Sequence, residues 1–216
     1  MAETFEIEEG TEVPRHDTVA DDHHVVHEST GIDNRKLGMW VFLSSEFLFF
    51  GAFITNYILY GGRDFQGTVP RDIYDIPFTS VSSFVLLMSS LTMVLAHHAL
   101  SKGDQNGTRT WLIATALLGS VFLGGQVFEF TEFITVYDMT LTTNPAASAF
   151  YMLTGFHGLH VAIGILMLLS LFGIARRQGG LSEDHGLNLE LVGLYWHFVD
   201  IIWIVIFTLV YLLGAA

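Results

Sequence analysis

The chain has 216 residues, of which 51% are hydrophobic and only 14% are charged, and it contains 18 Phe, four Trp and seven Tyr. Soluble domains carry about 25% charged residues, so this composition favours a membrane protein. The absence of cysteine excludes disulfides, thiolate zinc sites and cysteine-ligated iron–sulfur clusters, and a net charge of −13 without a basic patch argues against nucleic acid as a partner.

Residues 1–36 are predicted to form an acidic polar tail. Ten of the 22 acidic residues lie before position 34, and the segment lacks the apolar stretch of a signal peptide. Its histidines, at 16, 23, 24 and 27, offer a spacing that a metal could use, but the low hydrophobicity is more typical of a solvated tail. We therefore divide the chain into a tail at 1–36 and a membrane domain at 37–216.

Five apolar stretches follow, each long enough to cross a hydrocarbon core, which takes about 20 helical residues. We place them at 37–60, 77–100, 110–136, 148–175 and 191–213. Seven Lys and Arg residues fall on the side of the N-terminus and two, Arg63 and Arg71, on the other. The positive-inside rule then places the N-terminus in the cytoplasm and the C-terminus outside. The predicted fold class is all-α, an integral membrane bundle of five transmembrane helices.

Glycines in the third and fourth spans predict places where helix backbones approach closely. They are Gly119, Gly124, Gly125, Gly155, Gly158 and Gly164.

Ionisable side chains inside the spans are informative, because a carboxylate at a helix centre costs about 2.5–3.5 kcal/mol. Five of them fall at similar depth near the middle of the membrane, and we call them the midplane group: Glu46, His157, His160, His197 and Asp200. A lone carboxylate at this depth should be protonated or paired. We expect Glu46 to lie within hydrogen-bonding reach of a histidine, with His160 favoured. Another polar pair, Gln126 and Glu129, falls close to the outer interface.

The residues of the midplane group admit three interpretations. Two carboxylates and histidines can hold iron or zinc in a helical bundle. Intramembrane carboxylates also mark proton paths. The favoured interpretation is structural, with these groups bonding to each other between helices. Serine-hydrolase, zinc-protease and phosphate-loop motifs are absent from the sequence.

Two residue strings then point to a family. The string TGFHGLHV at 154–161 and the string YWHFVDIIW at 195–203 resemble the last two helices of subunit III of the haem-copper cytochrome c oxidases. Weaker matches occur in the expected order, at 43–50 around Glu46 and at 125–129 (GQVFE). The resemblance covers about 37–213. The chain is similar to the short bacterial form, because it has five spans where the long form has seven.

The resemblance implies a supporting role without catalytic or metal-binding residues of its own. Haem and copper are expected in partner subunits, with oxidase subunits I and II and membrane lipids as partners in a hetero-oligomeric complex of the bacterial plasma membrane. The resemblance further implies that the chain stabilises subunit I and supports proton uptake. In the long form phospholipids lie in a cleft between the first two helices and the remaining five. This chain starts at the third helix, so the cleft would be completed by a neighbouring subunit or be absent, and bound phospholipid stays possible.

Three alternatives stay open at this point. The chain could be subunit III of a quinol oxidase or the accessory subunit of a nitric oxide reductase, which shares this fold. A stand-alone proton-coupled transporter would also explain buried carboxylates.

Overall fold

The computed structural model describes residues 33–61, 63, 65–177, 180–181 and 183–214, and within them it contains helices and no strand. The helices are α1 (Asn34–Gly61), α2 (Ile76–Ser101), α3 (Gln105–Thr135), α4 (Pro145–Arg177) and α5 (Glu183–Ile206). A 3-10 turn (Pro70–Asp72) precedes α2, and a π-helical segment (Phe207–Leu212) continues α5. The predicted tail lies outside the described residues up to position 32.

Within the part of the chain that the structure describes, five helices are long and apolar enough to cross a membrane, which confirms the predicted fold class. Each helix reaches beyond its predicted span at one or both ends, and α5 begins at Glu183 where the apolar stretch begins at 191. The reason is that apolarity measures only the hydrocarbon core, whereas a helix can continue through the headgroup region.

Local signals in the sequence explain where three helices begin. Asp75 and Asp104 precede α2 and α3, and their carboxylates accept the N–H of Phe78 at 3.1 Å and of Gly107 at 2.9 Å. Asn144 accepts the N–H of Ala147 at 2.8 Å just before α4. Each cap satisfies a backbone donor that the first turn leaves unpaired.

Successive helices run in opposite directions, so their ends meet on two faces. On the side where α1 begins, which we call the N-terminal face, Lys36 forms an ion pair with Glu190 of α5. On the opposite face, the hydroxyls of Tyr57 and Tyr74 lie 2.9 Å apart and Asn144 donates to the carbonyl of Thr68 at 2.9 Å. These contacts connect segments that are distant in the chain and fix the depth of each helix.

The side chain of Trp196 on α5 is the point where four helices meet. Its indole lies against Gly119 of α3 and Gly164 of α4, so closely that a Cβ there would approach the ring to 2.6 Å and 2.8 Å. Its Nε1 donates to Ser89 Oγ of α2 at 2.9 Å. The glycines leave the space that the large ring fills, and the serine satisfies its one polar atom.

The structure confirms the predicted close approach at some glycines and corrects it at another. A Cβ at Gly158 would meet Gln126 Oε1 at 2.5 Å, and Gly119 and Gly164 hold Trp196 as described. At Gly124 no atom of another described residue beyond its own helix neighbours lies within 4 Å of the Cβ position, so the prediction is wrong there. Spacing alone does not reveal which way each glycine faces.

We predict that Gly119→Ala and Gly164→Ala destabilise the bundle, while Gly124→Ala on the same helix as Gly119 does not. The added methyl groups force Trp196 out of place, and such overpacking costs about 1–3 kcal/mol. Denaturant-induced unfolding in detergent micelles measures the difference. Equal stability of the Gly119 and Gly124 variants would contradict this account of the Trp196 contact.

Candidate functional site

The midplane group does not form one network but separates into three parts. Glu46 of α1 and His160 of α4 make the first, with Oε2 and Nε2 3.2 Å apart. The structure thus contains the contact that was predicted from depth. The Nδ1 of His160 lies 2.7 Å from the carbonyl oxygen of Phe156, which can only accept. Nδ1 therefore carries a proton, and a single further proton is shared between His160 Nε2 and the Glu46 carboxyl.

His157 makes the second part, and it is enclosed by aromatic rings. The side chain is fully buried, and neither ring nitrogen has a hydrogen-bond partner among the described residues. Its ring stacks on Trp203 with centroids 4.8 Å apart, while Phe122 and Phe50 contact it edge-on at 5.9 Å and 6.5 Å. The expectation that this histidine bonds to another member of the group is wrong, and it packs instead as a flat ring between α1, α3 and α5.

His197 and Asp200 of α5 make the third part, together with a residue that sequence reasoning did not select. The Oγ of Ser90 on α2 lies 2.6 Å from His197 Nδ1. Asp200 lies one turn beyond His197 on α5, near the Ser90 hydroxyl, although neither of its carboxylate oxygens has a hydrogen-bond partner among the described residues. Asp200 is 3% exposed. The predicted bonds between members of the group are therefore wrong for His197 and Asp200 as well.

The other polar residues of the string at 195–203 bind to neighbouring helices. The Tyr195 hydroxyl donates to the carbonyl of His160 at 3.0 Å, and Trp203 Nε1 donates to Ser83 Oγ at 2.8 Å. The first hydrogen bond connects α5 to α4, and the second connects α5 to α2. These partners explain why the string combines aromatic rings with hydrogen-bond donors.

The pair predicted near the outer interface is buried, and its two members bind to different helices. Gln126 Nε2 donates to the carbonyl of Thr154 at 2.7 Å, through the gap that Gly158 leaves. Glu129 accepts hydrogen bonds from Thr79 of α2 and from Tyr211, both at 3.0 Å. Tyr211 lies in the π-helical segment, whose wider turn helps to position its hydroxyl.

Several of these partners are hydroxyl residues of α2 that the sequence reasoning missed. They are Thr79, Ser83, Ser89 and Ser90. Spacings of four and seven residues place Thr79, Ser83 and Ser90 on one helix face, which is a signal that could have identified them. Together they form a polar seam along α2, facing α3 and α5.

The arrangement does not support a metal site. Among the residues that the structure describes, no three His, Asp or Glu side chains come together as a metal would require. Glu46, His160 and His197 instead make contacts between helices, while Asp200 and His157 have no hydrogen bond to any residue that the structure describes.

Comparison with known proteins identifies what the chain is similar to. The family described as cytochrome c oxidase subunit III matches residues 12–215. A protein named "Probable quinol oxidase subunit 3" from Staphylococcus saprophyticus is 38% identical over 196 residues, covering 87% of this chain and 96% of the relative. Proteins named "Cytochrome c oxidase subunit 3" are 38% identical in Thermostichus vulcanus, over 95% and 98% of the two chains, and 36% identical in Alkalihalophilus pseudofirmus, over 84% and 87%.

We predict that Glu46→Gln leaves the bundle stable and Glu46→Leu does not. A glutamine amide can donate to His160 Nε2, whereas leucine leaves that nitrogen unpaired in an apolar site, at a cost of about 1–2 kcal/mol. Unfolding in detergent micelles measures both variants, and Ser45→Leu, an exposed neighbour on α1, controls for the added apolar side chain. If Glu46→Gln lost as much stability as Glu46→Leu, the contact would need the charge itself.

Proposed function

Because this chain belongs to the cytochrome c oxidase subunit III family, we propose that it is the non-catalytic subunit III of a terminal oxidase and carries no redox centre. The chain is a multi-pass protein of the bacterial plasma membrane and part of a hetero-oligomeric oxidase complex. Oxygen reduction and its coupling to proton translocation then belong to the complex as a whole. This subunit stabilises subunit I and supports proton uptake.

The proposal rests on one observation: polar side chains in the strings that resemble the family form hydrogen bonds between helices of this chain. In the strings that resemble the family, Tyr195, Trp196, Trp203 and Gln126 each direct an O–H or N–H to another helix of the same chain. A side chain engaged in this way is not available to a substrate or a metal. These residues therefore build a rigid bundle, which suits a subunit that supports its neighbours.

The exposed surface of α1 supports association with other membrane proteins. In the most apolar 18-residue stretch of α1 only 11% of the residues are buried, compared with 44% in the corresponding stretches of the fourth and fifth spans. Large side chains such as Trp40, Phe47 and Leu48 project outward and are 53%, 63% and 74% exposed. We assign oxidase subunits I and II as partners, with haem and copper in those subunits and phospholipid on the apolar surface that they leave uncovered.

The electron donor is the second part of the proposal. Relatives at 38% identity carry the names of both a quinol oxidase subunit and a cytochrome c oxidase subunit. The donor is bound elsewhere in such a complex, so this chain fits either enzyme. A copper centre in subunit II would favour cytochrome c.

A pull-down of the tagged chain in mild detergent tests the proposal. We predict that the eluate contains partner subunits, shows haem bands in its visible spectrum and oxidises either reduced cytochrome c or a quinol. Recovery of the chain alone and without haem, from membranes in which the oxidase is active, would contradict the proposal and favour a transporter. Nitric oxide reduction without oxygen reduction by the eluate would favour the accessory subunit of a nitric oxide reductase.

We also predict that the N-terminal face lies in the cytoplasm, because six of the eight Lys and Arg residues that the structure describes lie at this face. The chain lacks cysteine, so single cysteines can be introduced without background. A membrane-impermeant maleimide should label Gln66→Cys, in the loop after α1, in intact cells. It should label Lys102→Cys, after α2, only when the membrane is opened. The reverse pattern would show the opposite orientation.

A further inference from the structure

A groove between α2 and α5 leads from the N-terminal face into the bundle. Its inner part is a cavity of about 510 Å³ that ends at His197. A second cavity of about 560 Å³ shares His97, Ser101 and Glu190 with the first and reaches the loop at Gly103. The two cavities adjoin at these three residues and together extend from the loop at Gly103 to the depth of His197.

The inner cavity has room for water beside the polar groups of its lining, although apolar atoms supply most of the lining surface. Five of its nine lining residues are polar, namely His97, His98, Ser101, Glu190 and His197. A water molecule occupies about 30 Å³ in the liquid and needs two to four polar partners, so several can fit. His197 uses Nδ1 for Ser90, and no described group bonds its Nε2. A water in the cavity can satisfy this nitrogen.

Two further polar side chains, Ser90 and Asp200, lie beyond His197. Ser90 contacts His197 Nδ1 and lies near Asp200, whose buried carboxyl has no hydrogen-bond partner among the described residues. An ionised carboxylate without partners is costly in this setting. A hydroxyl can rotate between two neighbours, because it both accepts and donates.

We propose that His197, Ser90 and Asp200 form a proton-binding site that is loaded through this groove from the N-terminal face. The site deepens the proposed function, since its use in the oxidase rests on the proposed support of proton uptake. Its ligand is the proton, delivered by water, and Asp200 is where the proton is stored.

The transfer balances with the residues present. A proton from cavity water binds Nε2 of neutral His197, while the Nδ1 proton passes to Ser90 Oγ and the hydroxyl proton of Ser90 passes to the Asp200 carboxylate. Asp200 becomes neutral, Ser90 is unchanged, and His197 ends as its other neutral tautomer. Release reverses the same steps and restores the first tautomer, so the site stores a proton for return to the same face.

Other charged or titratable groups on the packed helices are engaged elsewhere or lie nearer the N-terminal face. Glu46 and His160 bind each other, and Glu190 binds Lys36. His157 lies among aromatic rings. On α2, His97 and His98 are exposed and line the groove nearer the N-terminal face than His197, where they can exchange protons with water.

Infrared spectroscopy of the assembled oxidase, purified with this chain, tests the site. Spectra recorded over a range of pH should contain a protonated carboxyl band that shifts in D₂O and disappears in Asp200→Asn. Val94→Phe adds a large side chain at the cavity wall and should slow the deuterium exchange of that band at least tenfold. Val81→Phe, an exposed valine of α2 away from the cavity, is the matched control and should exchange as the parent does.

Two results would overturn the site: no carboxyl band assigned to Asp200 at any pH, or equal exchange rates in the Val94 and Val81 variants. If the Asp200→Asn complex does not assemble, Ser90→Ala takes its place. This variant should keep the band and slow its exchange, and unchanged exchange would refute the proton path.

Oxidase turnover and proton uptake are measured separately from the infrared band. Normal turnover and proton uptake in an assembled Asp200→Asn complex, with the band lost, would confirm the site and refute its role in uptake.

Discussion

The close approach of α5 to three other helices at Trp196 is the contact on which the bundle depends. In a membrane the lipid tails are as apolar as the side chains, so helices associate through packing and hydrogen bonds rather than through the hydrophobic effect. At Trp196 both operate together, because Gly119 and Gly164 admit the ring and Ser89 accepts its N–H. Trp203, two turns further along α5, repeats the hydrogen bond with Ser83. The two bonds set the antiparallel register of α2 and α5, and through it the depth of every polar group on α5.

Once that register is set, the remaining polar contacts follow from the depth of each helix. Glu46 meets His160 near the middle of the membrane, and Glu129 meets Tyr211 and Thr79 towards the opposite face. Most polar side chains of the family strings thus serve to bind helices to one another. Asp200 is different, because it is buried without a hydrogen-bond partner among the described residues, one turn along α5 from His197, at which a cavity from the N-terminal face ends. A bundle that serves only to support its neighbours would not need an unpaired carboxyl at this position.

The sequence predicted the five helices and the Glu46–His160 contact, because apolar length and short loops determine how deep each residue lies. It did not predict the hydroxyl partners on α2. A serine in a membrane helix can bond to the carbonyl of its own preceding turn, as Ser80 does with Ile76, so composition does not reveal which serine faces a neighbour. The sequence also does not reveal how each helix is rotated about its axis, which is why the predicted close approach at Gly124 was wrong. The π-helical turn that helps to position Tyr211 has no local sequence signal.

A double-mutant cycle of Trp196→Phe and Ser89→Ala, made in the assembled oxidase, tests most directly whether the family residues act as contacts between helices. Unfolding free energy and turnover per haem would be measured for the parent, both single variants and the double variant. The account predicts a coupling energy of about 0.6–1.7 kcal/mol, with turnover per haem unchanged in every complex that assembles. A coupling energy of zero, or a loss of turnover in a fully assembled complex, would contradict it.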